Sequence, residues 1–354
     1  MKETIEGINP NFVKKSRFQK KISSDICQCL TCERQCKIPI GATGHCQTRI
    51  NYNGEIISLV YGCIPAKSIN PIEKKPFYHF FPGSTALTVG TFGCNFDCFW
   101  CQNHNISHPM RPFINNIKQQ SNYYSPELLI KEAINNNCQG TSISFNEPTL
   151  LFEYSLDVFK LAKKAGLYNT YVSNGYMTEE VLRTLAKNGL DAINIDIKGN
   201  LDMVKKYCGA NIEKVWRNAK LAKELGVHVE ITTLLIENYN SNAEIIQEIA
   251  NKIANELGET TPFHISRFFP QYRSQEFGIT KPTNLRLLYN ASEIAQNCGL
   301  KFVYIGNIAN KKYSNTTCPN CSKIVIKRST FSIQELYVNV NGDCKYCGFH
   351  ICDI

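Results

Sequence analysis

The sequence lacks a long apolar run, and its first residues lack the apolar stretch of a secretory signal. No part of the 354 residues reaches the length needed to cross a membrane. The beginning, MKETIEGINPNFVKKSRFQ, is polar. We therefore expect a cytoplasmic protein without membrane association. No Gly-x-Gly-x-x-Gly follows the first predicted strand, which argues against a dinucleotide-binding Rossmann fold.

Concentrated positive charge is also scarce, although basic residues outnumber acidic ones. There are 39 Lys and Arg against 30 Asp and Glu, a formal net charge of +9. The basic runs are short, such as Lys14-Lys15 and Lys311-Lys312, and they are not interleaved with aromatic residues. We interpret the charge as a solvated surface, and we do not expect a nucleic-acid partner.

Cysteine, by contrast, is abundant, with 17 residues. Cytosolic thiols stay reduced, so this number indicates metal or redox chemistry rather than disulfides. Three cysteines stand apart from the local groups and are interpreted as small core residues: Cys138, Cys208 and Cys298.

The chain divides by composition into a polar lead-in (1–25), a cysteine-rich segment (26–86), an α/β core (87–313) and a small module (314–354). The predicted core strands are 87–92, 141–145, 168–173, 191–197, 228–236, 262–268 and 301–305. The predicted helices are 125–137, 150–165, 178–189, 213–225, 241–257 and 283–298. This alternation favours a parallel sheet with outer helices, as in a complete or partial (β/α) barrel.

The loop GTFGCNFDCFWCQN follows the first core strand and places Cys94, Cys98 and Cys101 in a C-x3-C-x2-C spacing. Three thiolates can bind three irons of a [4Fe–4S] cluster, and the fourth iron is then free to chelate S-adenosylmethionine (SAM). Such a site would generate a 5′-deoxyadenosyl radical that abstracts hydrogen. The alternative is a structural zinc or an ordinary cluster, completed by Cys63, His104 or His108.

Polar motifs near the strand ends favour the SAM interpretation. They are FNEPT (145–149), SNG (173–175), DIKG (196–199) and, within the fifth strand, EITT (230–233). The backbone at Asn146-Glu147 is a candidate acceptor for the SAM ammonium. Ser173 and Asn174 are candidates for the ribose, and Lys198 for the carboxylate.

Two flanking cysteine groups are candidate metal sites. Two CxxC pairs separated by twenty-two residues form a zinc-ribbon pattern: Cys318, Cys321, Cys344 and Cys347. The N-terminal group has mixed spacing and could bind zinc or a second cluster, and a structural metal is favoured over a redox cluster. Its cysteines are Cys29, Cys32, Cys36 and Cys46, with Cys27 as an alternative ligand.

Several longer motifs resemble a known family. The three-cysteine loop followed by Gln102-Asn103 resembles radical SAM enzymes related to pyruvate formate-lyase activating enzyme. The resemblance is narrower to the radical SAM member of the AmmeMemoRadiSam system. The motifs that carry it are GATGHCQTR in the cysteine-rich segment, PIEKKPFYHFFPGS (71–84), HISRFFPQY (264–272) and YIGN (304–307) before the CPNC…CKYC tail.

The resemblance implies a partial barrel of the (β/α)6 type with one SAM-binding cluster. It also implies SAM contacts from Glu147, Asp196 and Lys198, an electron donor such as ferredoxin or flavodoxin, and association with Memo-like and AMMECR-type proteins. The sequence departs from the family at Glu33-Arg34, where Pro-His is usual, at Asn70, where Asp is usual, and in IENYNSN (236–242), which replaces a Pro-Gly-containing loop.

We expect a radical SAM enzyme acting on an unidentified substrate. The first alternative is an activase of a glycyl-radical enzyme. The second alternative is not an enzyme but a zinc protein that binds RNA.

Overall fold

The alternating core segments fold into one large sheet flanked by helices. The computed structural model describes residues 5–108, 113–120 and 122–354. Its strands are β1 (Lys14–Lys15), β2 (Gln19–Lys21), β3 (Ile26–Cys29), β4 (Lys37–Pro39), β5 (Arg49–Tyr52), β6 (Glu55–Ser58), β7 (Ala66–Pro71), β8 (Thr85–Gly90), β9 (Gly140–Ile143), β10 (Tyr168–Ser173), β11 (Ala192–Asp196), β12 (His228–Leu235), β13 (Phe263–Arg267), β14 (Val303–Gly306), β15 (Thr316–Thr317), β16 (Ile324–Ser329) and β17 (Ser332–Leu336).

The described α-helices are α1 (His104–Ser107), α2 (Phe113–Gln119), α3 (Pro126–Asn135), α4 (Phe152–Lys164), α5 (Glu179–Lys187), α6 (Leu201–Cys208), α7 (Ile212–Glu224), α8 (Ala243–Lys252) and α9 (Leu285–Asn297). Helix α3 begins where its sequence indicates, because the Ser125 side chain accepts a hydrogen bond from the Leu128 amide and Pro126 opens the first turn. Of these nine described helices, none is long and apolar enough to cross a membrane.

The main sheet has the strand order β14-β13-β12-β11-β10-β9-β8-β7. Strands β8 to β14 are parallel and correspond to the seven predicted core strands, whereas β7 pairs antiparallel with β8. The sheet is open, with β7 and β14 at its edges, so the architecture is the predicted α/β partial barrel. It has one parallel strand more than a six-stranded barrel.

The two faces of the sheet pack against different parts of the chain. On β10, Tyr171 points outward and its hydroxyl donates to Ser155 on α4. The alternate residues Tyr168 and Val172 point inward and pack against the segment 72–84. This segment, which follows β7, fills the end of the barrel at which the parallel strands begin, and we call it the plug.

The part of the chain before the core contains strands that the division by composition does not indicate. Strands β1 and β2 lie within the expected lead-in, yet they pair into two small antiparallel sheets, with the orders β1-β6-β5 and β2-β3-β4. The expected segment 26–86 likewise contributes β7 to the main sheet. Polar residues in β1 and β2 are exposed because these strands lie at sheet edges.

The C-terminal module, with sheet order β15-β16-β17, packs against the plug at the amino-terminal end of the parallel strands. Buried Arg328 donates to the Tyr78 carbonyl at 2.6 Å, and its Nε lies 3.7 Å from the Glu73 carboxylate. Nearby, Glu230 accepts hydrogen bonds from the Tyr78 amide and from His264. The C-terminal module is therefore bound at the end of the barrel opposite the carboxyl ends of the strands.

Replacing Arg328 with Met should lower the free energy of unfolding by about 3 kcal/mol, because the buried Glu73 carboxylate loses its cation. Denaturant unfolding measures the change. Lys327 is the matched control, since it is exposed and pairs with Glu335 at the surface. Lys327→Met should leave stability nearly unchanged, and equal losses in both variants would contradict this account of the docking.

Candidate active site

The three-cysteine loop leaves the carboxyl end of β8 through two glycines that nothing larger could replace. A Cβ on Gly90 would lie 2.5 Å from the Ser144 carbonyl oxygen. Gly93 has φ +87°, and its Cβ would lie 2.7 Å from the Cys46 carbonyl oxygen. The loop thus runs between the second parallel strand and the N-terminal segment.

The Glu147 carboxylate organises the neighbouring strand ends. It is 2% exposed and accepts hydrogen bonds from the Thr149 amide at 3.1 Å, the Thr149 hydroxyl at 2.5 Å, the Ser173 hydroxyl at 2.8 Å and the Asn174 amide at 2.9 Å. Burial raises the pKa of Glu147, while the four donors oppose the rise by stabilising the ionised form. Three of the predicted SAM-site residues, Glu147, Ser173 and Asn174, therefore form one network.

That network extends to the first cysteine. The Asn174 side chain donates to Asn95 Oδ1 at 2.7 Å and lies 3.9 Å from Cys94 Sγ. The backbone of the loop is held from the other side by Asn146, whose amide donates to the Gly93 carbonyl at 2.7 Å. The polar motifs after β9 and β10 thus position the first thiol.

The other two predicted residues, Asp196 and Lys198, form a separate pair near Cys98. Lys198 Nζ lies 2.8 Å from the Asp196 carboxylate. Burial alone would lower the pKa of Lys198, but the charges of Asp196 and Cys98 raise it overall. Cys98 itself donates to the sulfur of Cys208 at 3.5 Å. Cys208, interpreted from sequence as an ordinary core residue, is a direct neighbour of the site.

The donor set fits an iron–sulfur cluster. Burial raises the pKa of Cys94 and Cys101, and that of Cys98 is raised first by its bond to Cys208 and then by burial. Thiols with raised pKa values become thiolates only beside a cationic partner, which iron supplies. On a cube each thiolate binds a different iron, so the sulfurs stand farther apart than on a single ion.

The residues weighed as a fourth ligand occupy separate positions. The rings of His104 and His108 stack on Tyr272, at centroid distances of 5.0 and 5.5 Å. The Cys63 thiol is fully buried, and its carbonyl accepts from the Thr91 hydroxyl at 2.7 Å. Among the described residues, none of the three joins the loop cysteines in a group with the close spacing of a single-ion site.

The C-terminal cysteines do have the close spacing of a single-ion site. The sulfurs of Cys318, Cys321, Cys344 and Cys347 all lie within 4.8 Å of one another. The N-terminal four, Cys29, Cys32, Cys36 and Cys46, line one cavity beside the three-cysteine loop.

One polar residue of the strand-end motifs, Glu230, lies outside the candidate site. Glu230 of the EITT motif points into the barrel at the amino-terminal end, where it binds the plug and His264, so it belongs to the docking of the C-terminal module. Glu230 is the third residue of β12, so it lies near the amino-terminal end of the strand and far from the site at the carboxyl ends.

Sequence reasoning also missed Lys75 of the plug. Its side chain is 7% exposed and its ammonium lies 4.6 Å from the centre of the Phe145 ring, next to the FNEPT motif. Burial lowers the pKa of Lys75 to about 7. Inward-facing polar atoms without a hydrogen-bond partner in the described part of the chain are Ser142 Oγ, Ser144 Oγ, Asn194 Oδ1 and Thr232 Oγ1. The barrel interior is therefore polar and carries a titratable amine.

The lowered pKa of Lys75 gives a pH test. Below pH 7 the folded chain holds a buried ammonium, and this cost is relieved as pH rises from about 7 toward the unfolded value of 10.5. Lys75→Met should raise the free energy of unfolding by about 2–5 kcal/mol at pH 6.5, and by much less at pH 9.5. Denaturant unfolding at both pH values checks this. Lys160→Met, at an exposed position of α4, is the control, and a pH-independent difference for Lys75→Met would contradict the assignment.

Comparison with known proteins agrees with this geometry. Residues 88–250 match the family model of the Radical SAM superfamily. The chain is 38% identical to "Uncharacterized protein MJ0808" of Methanocaldococcus jannaschii over 343 residues. This match covers 95% of this chain and 98% of that protein. It is 28% identical over 180 residues to "Putative glycyl-radical enzyme activating enzyme MJ1632" of the same organism, spanning 49% of this chain and 64% of the relative.

Among solved structures, the chain is similar to a domain of pyruvate-formate lyase-activating enzyme from Bacteroides vulgatus. The TM-score is 0.40 at 20% identity, over 48% of this chain and 99% of that one. The family match contains the three-cysteine loop and the strand ends that carry the predicted SAM residues. The chain belongs to the radical SAM superfamily and is a SAM-dependent radical enzyme.

Proposed function

We propose that the enzyme cleaves SAM reductively at a [4Fe–4S] cluster held by Cys94, Cys98 and Cys101, and that the radical so formed acts on a substrate inside the barrel. The observation that carries this proposal is the enclosure of three thiols in one loop at the carboxyl end of β8. When bound, the cluster supplies the electron that breaks a carbon–sulfur bond of SAM. The remaining steps belong to the residues of this chain.

Those residues divide into positioning groups and ligand contacts. Both carboxylate oxygens of Glu147 are occupied by donors of this chain, so we assign Glu147 and Ser173 to holding the strand ends that carry Asn174. Lys198, paired with Asp196, is our candidate contact for the SAM carboxylate. Asn174 and the adjacent backbone remain the candidates for the ribose.

The substrate side of the proposal rests on the barrel interior. Lys75, with its lowered pKa, and the unpartnered hydroxyls of Ser142 and Ser144 offer a polar surface below the three-cysteine loop. These groups suit a substrate with polar or anionic substituents. The amine can also accept or donate a proton near neutral pH.

Partners and location extend the proposal. The motif resemblance supports membership of the AmmeMemoRadiSam system, with Memo-like and AMMECR-type partners, in the cytoplasm. A reduced ferredoxin or flavodoxin would be the electron donor. Within radical SAM enzymes, the partial similarity to MJ1632 favours a glycyl-radical activase as the second candidate, which a glycyl doublet on a partner protein, detected by EPR, would identify. The family assignment replaces the interpretation of a non-catalytic zinc protein that holds RNA.

The cluster proposal is tested by SAM cleavage. Anaerobically reconstituted protein given dithionite and SAM should release 5′-deoxyadenosine, and Cys98→Ala should lower the rate at least about 100-fold, since one iron loses its ligand. The release is measured by chromatography. Cys298→Ala, at the far end of α9, is the control and should keep the wild-type rate. Release at the wild-type rate from Cys98→Ala would remove Cys98 as a ligand.

The C-terminal cysteines carry a separate proposal, a structural zinc. Sulfur distances of 3.5 Å for Cys318 to Cys347 and 3.7 Å for Cys321 to Cys344 match four thiolates on one tetrahedral ion. Because the module lies opposite the three-cysteine loop, its metal would stabilise the fold and would not contact SAM.

Cys321→Ala should therefore lose about one zinc per chain and melt at lower temperature, while reconstituted protein still cleaves SAM. Elemental analysis and thermal unfolding measure both effects. Cys352→Ala should retain the zinc. Loss of SAM cleavage with an unchanged melting temperature would argue instead that the module takes part in the reaction.

A further inference from the structure

The N-terminal cysteines form a second enclosed thiol site beside the first. Cys29, Cys32, Cys36 and Cys46 come from the turns around β3 and β4, and all four line the same cavity. Three of them are at least nine-tenths buried. Cys27, the alternative ligand, does not line this cavity, and its thiol donates to Gln19 and to the Lys20 carbonyl instead. The fold thus selects four of the five thiols.

The spacing of the four sulfurs separates two kinds of metal. With zinc–sulfur bonds of about 2.3 Å, tetrahedral thiolates lie about 3.8 Å apart. In the part of the chain that the structure describes, only the C-terminal four cysteines have this compactness. The N-terminal sulfurs line a cavity, and no three of them lie within 4.8 Å of one another. A cube requires such wider spacing, because each thiolate binds a different iron.

Unpartnered donors at the cavity provide an independent observation. Arg49 and Asn95 both line it and are at most 1% exposed. The terminal nitrogens of Arg49 donate to Ser16 and Glu153, and Asn95 Oδ1 accepts from Asn174. Within the described residues, Arg49 Nε and Asn95 Nδ2 have no hydrogen-bond partner.

Both unpartnered atoms can only donate, and a buried donor left unpaired costs about 1–3 kcal/mol. Whatever completes the cavity must therefore accept hydrogen bonds and tolerate the nearby guanidinium charge. Thiolate and sulfide atoms of an iron–sulfur cluster do both, and such donors are a recurrent feature around cluster sulfurs. The Thr48 hydroxyl already donates to Cys46 Sγ at 3.3 Å.

We propose that Cys29, Cys32, Cys36 and Cys46 hold a second [4Fe–4S] cluster. Four protein ligands leave no open iron, so this cluster does not bind SAM and would serve as a one-electron centre. The proposal goes beyond SAM cleavage and does not depend on it.

The two thiol sites lie on opposite sides of residues 93–97. Asn95 presents its oxygen toward Asn174 and Cys94, and it lines the N-terminal cavity. Arg34, which also lines the cavity, donates to the Asn95 carbonyl at 2.7 Å. His45 Nε2 lies 3.0 Å from the Asp97 carboxylate. The second cluster would therefore neighbour the first through a short, ordered stretch of chain.

The test removes the three loop cysteines and measures the iron and sulfide that the protein still binds. The full chain with Cys94→Ala, Cys98→Ala and Cys101→Ala, reconstituted anaerobically, should still bind about four iron and four sulfide per chain and show a reduced-cluster EPR signal. Adding Cys36→Ser, at the most accessible of the four ligands, should reduce the iron content and change that signal. Adding Cys27→Ser should leave both unchanged.

Two outcomes would overturn the proposal. One is a triple variant without iron, with zinc near two per chain, which would assign zinc to both flanking sites. The other is a triple variant whose iron content and EPR signal are the same with and without Cys36→Ser. Release of 5′-deoxyadenosine by the wild-type protein is assayed separately, so failure of the second cluster would not be confused with failure of SAM cleavage.

Discussion

The buried carboxylate of Glu147 is the interaction on which the site geometry depends. A charge so far from water is stable only if donors surround it, and here they come from its own turn and from the end of β10. The same strand end then reaches Asn95 and Cys94 through Asn174. The position of the first thiol is thus set by the hydrogen-bonding needs of a carboxylate that follows the neighbouring strand β9.

The arrangement of the cysteine sulfurs in space distinguishes the two flanking cysteine groups, whereas the spacing of the cysteines in the sequence does not. The two outer groups each contain four candidate ligands, and the sequence predicts metal binding for both, with a structural metal favoured over a redox cluster for the N-terminal group. In three dimensions the C-terminal sulfurs converge on a point, whereas the N-terminal sulfurs surround a cavity with unpaired donors. Under the two proposals, identical side chains would hold two different metal centres in one chain.

Much of the fold was predictable because strand and helix periodicities are local. The sequence locates the seven parallel strands and the three-cysteine loop to within about two residues at most boundaries. The candidate SAM residues fall into two groups, one that reaches Cys94 and one near Cys98. Residues whose role depends on distant partners were not predictable. Lys75 resembles its exposed neighbour Lys74 in sequence, and only the plug makes it a buried amine. Cys208 acquires its role from α6 lying against Cys98, and Glu230 from its contacts with the plug and with His264.

The edge strand β7 and the early strands β1 and β2 were missed for the same reason. Each is short or polar, and each is stabilised by pairing with a strand elsewhere in the chain rather than by its own pattern. Their recognition requires knowledge of what they pair with.

The close approach of Gly93 to the Cys46 carbonyl links the two thiol sites sterically. The backbone of the three-cysteine loop lies against the N-terminal segment, and a side chain at position 93 would collide with the Cys46 carbonyl. Because Cys46 also lines the N-terminal cavity, a substitution at Gly93 would displace residues of both sites at once, although glycine itself offers no ligand to either.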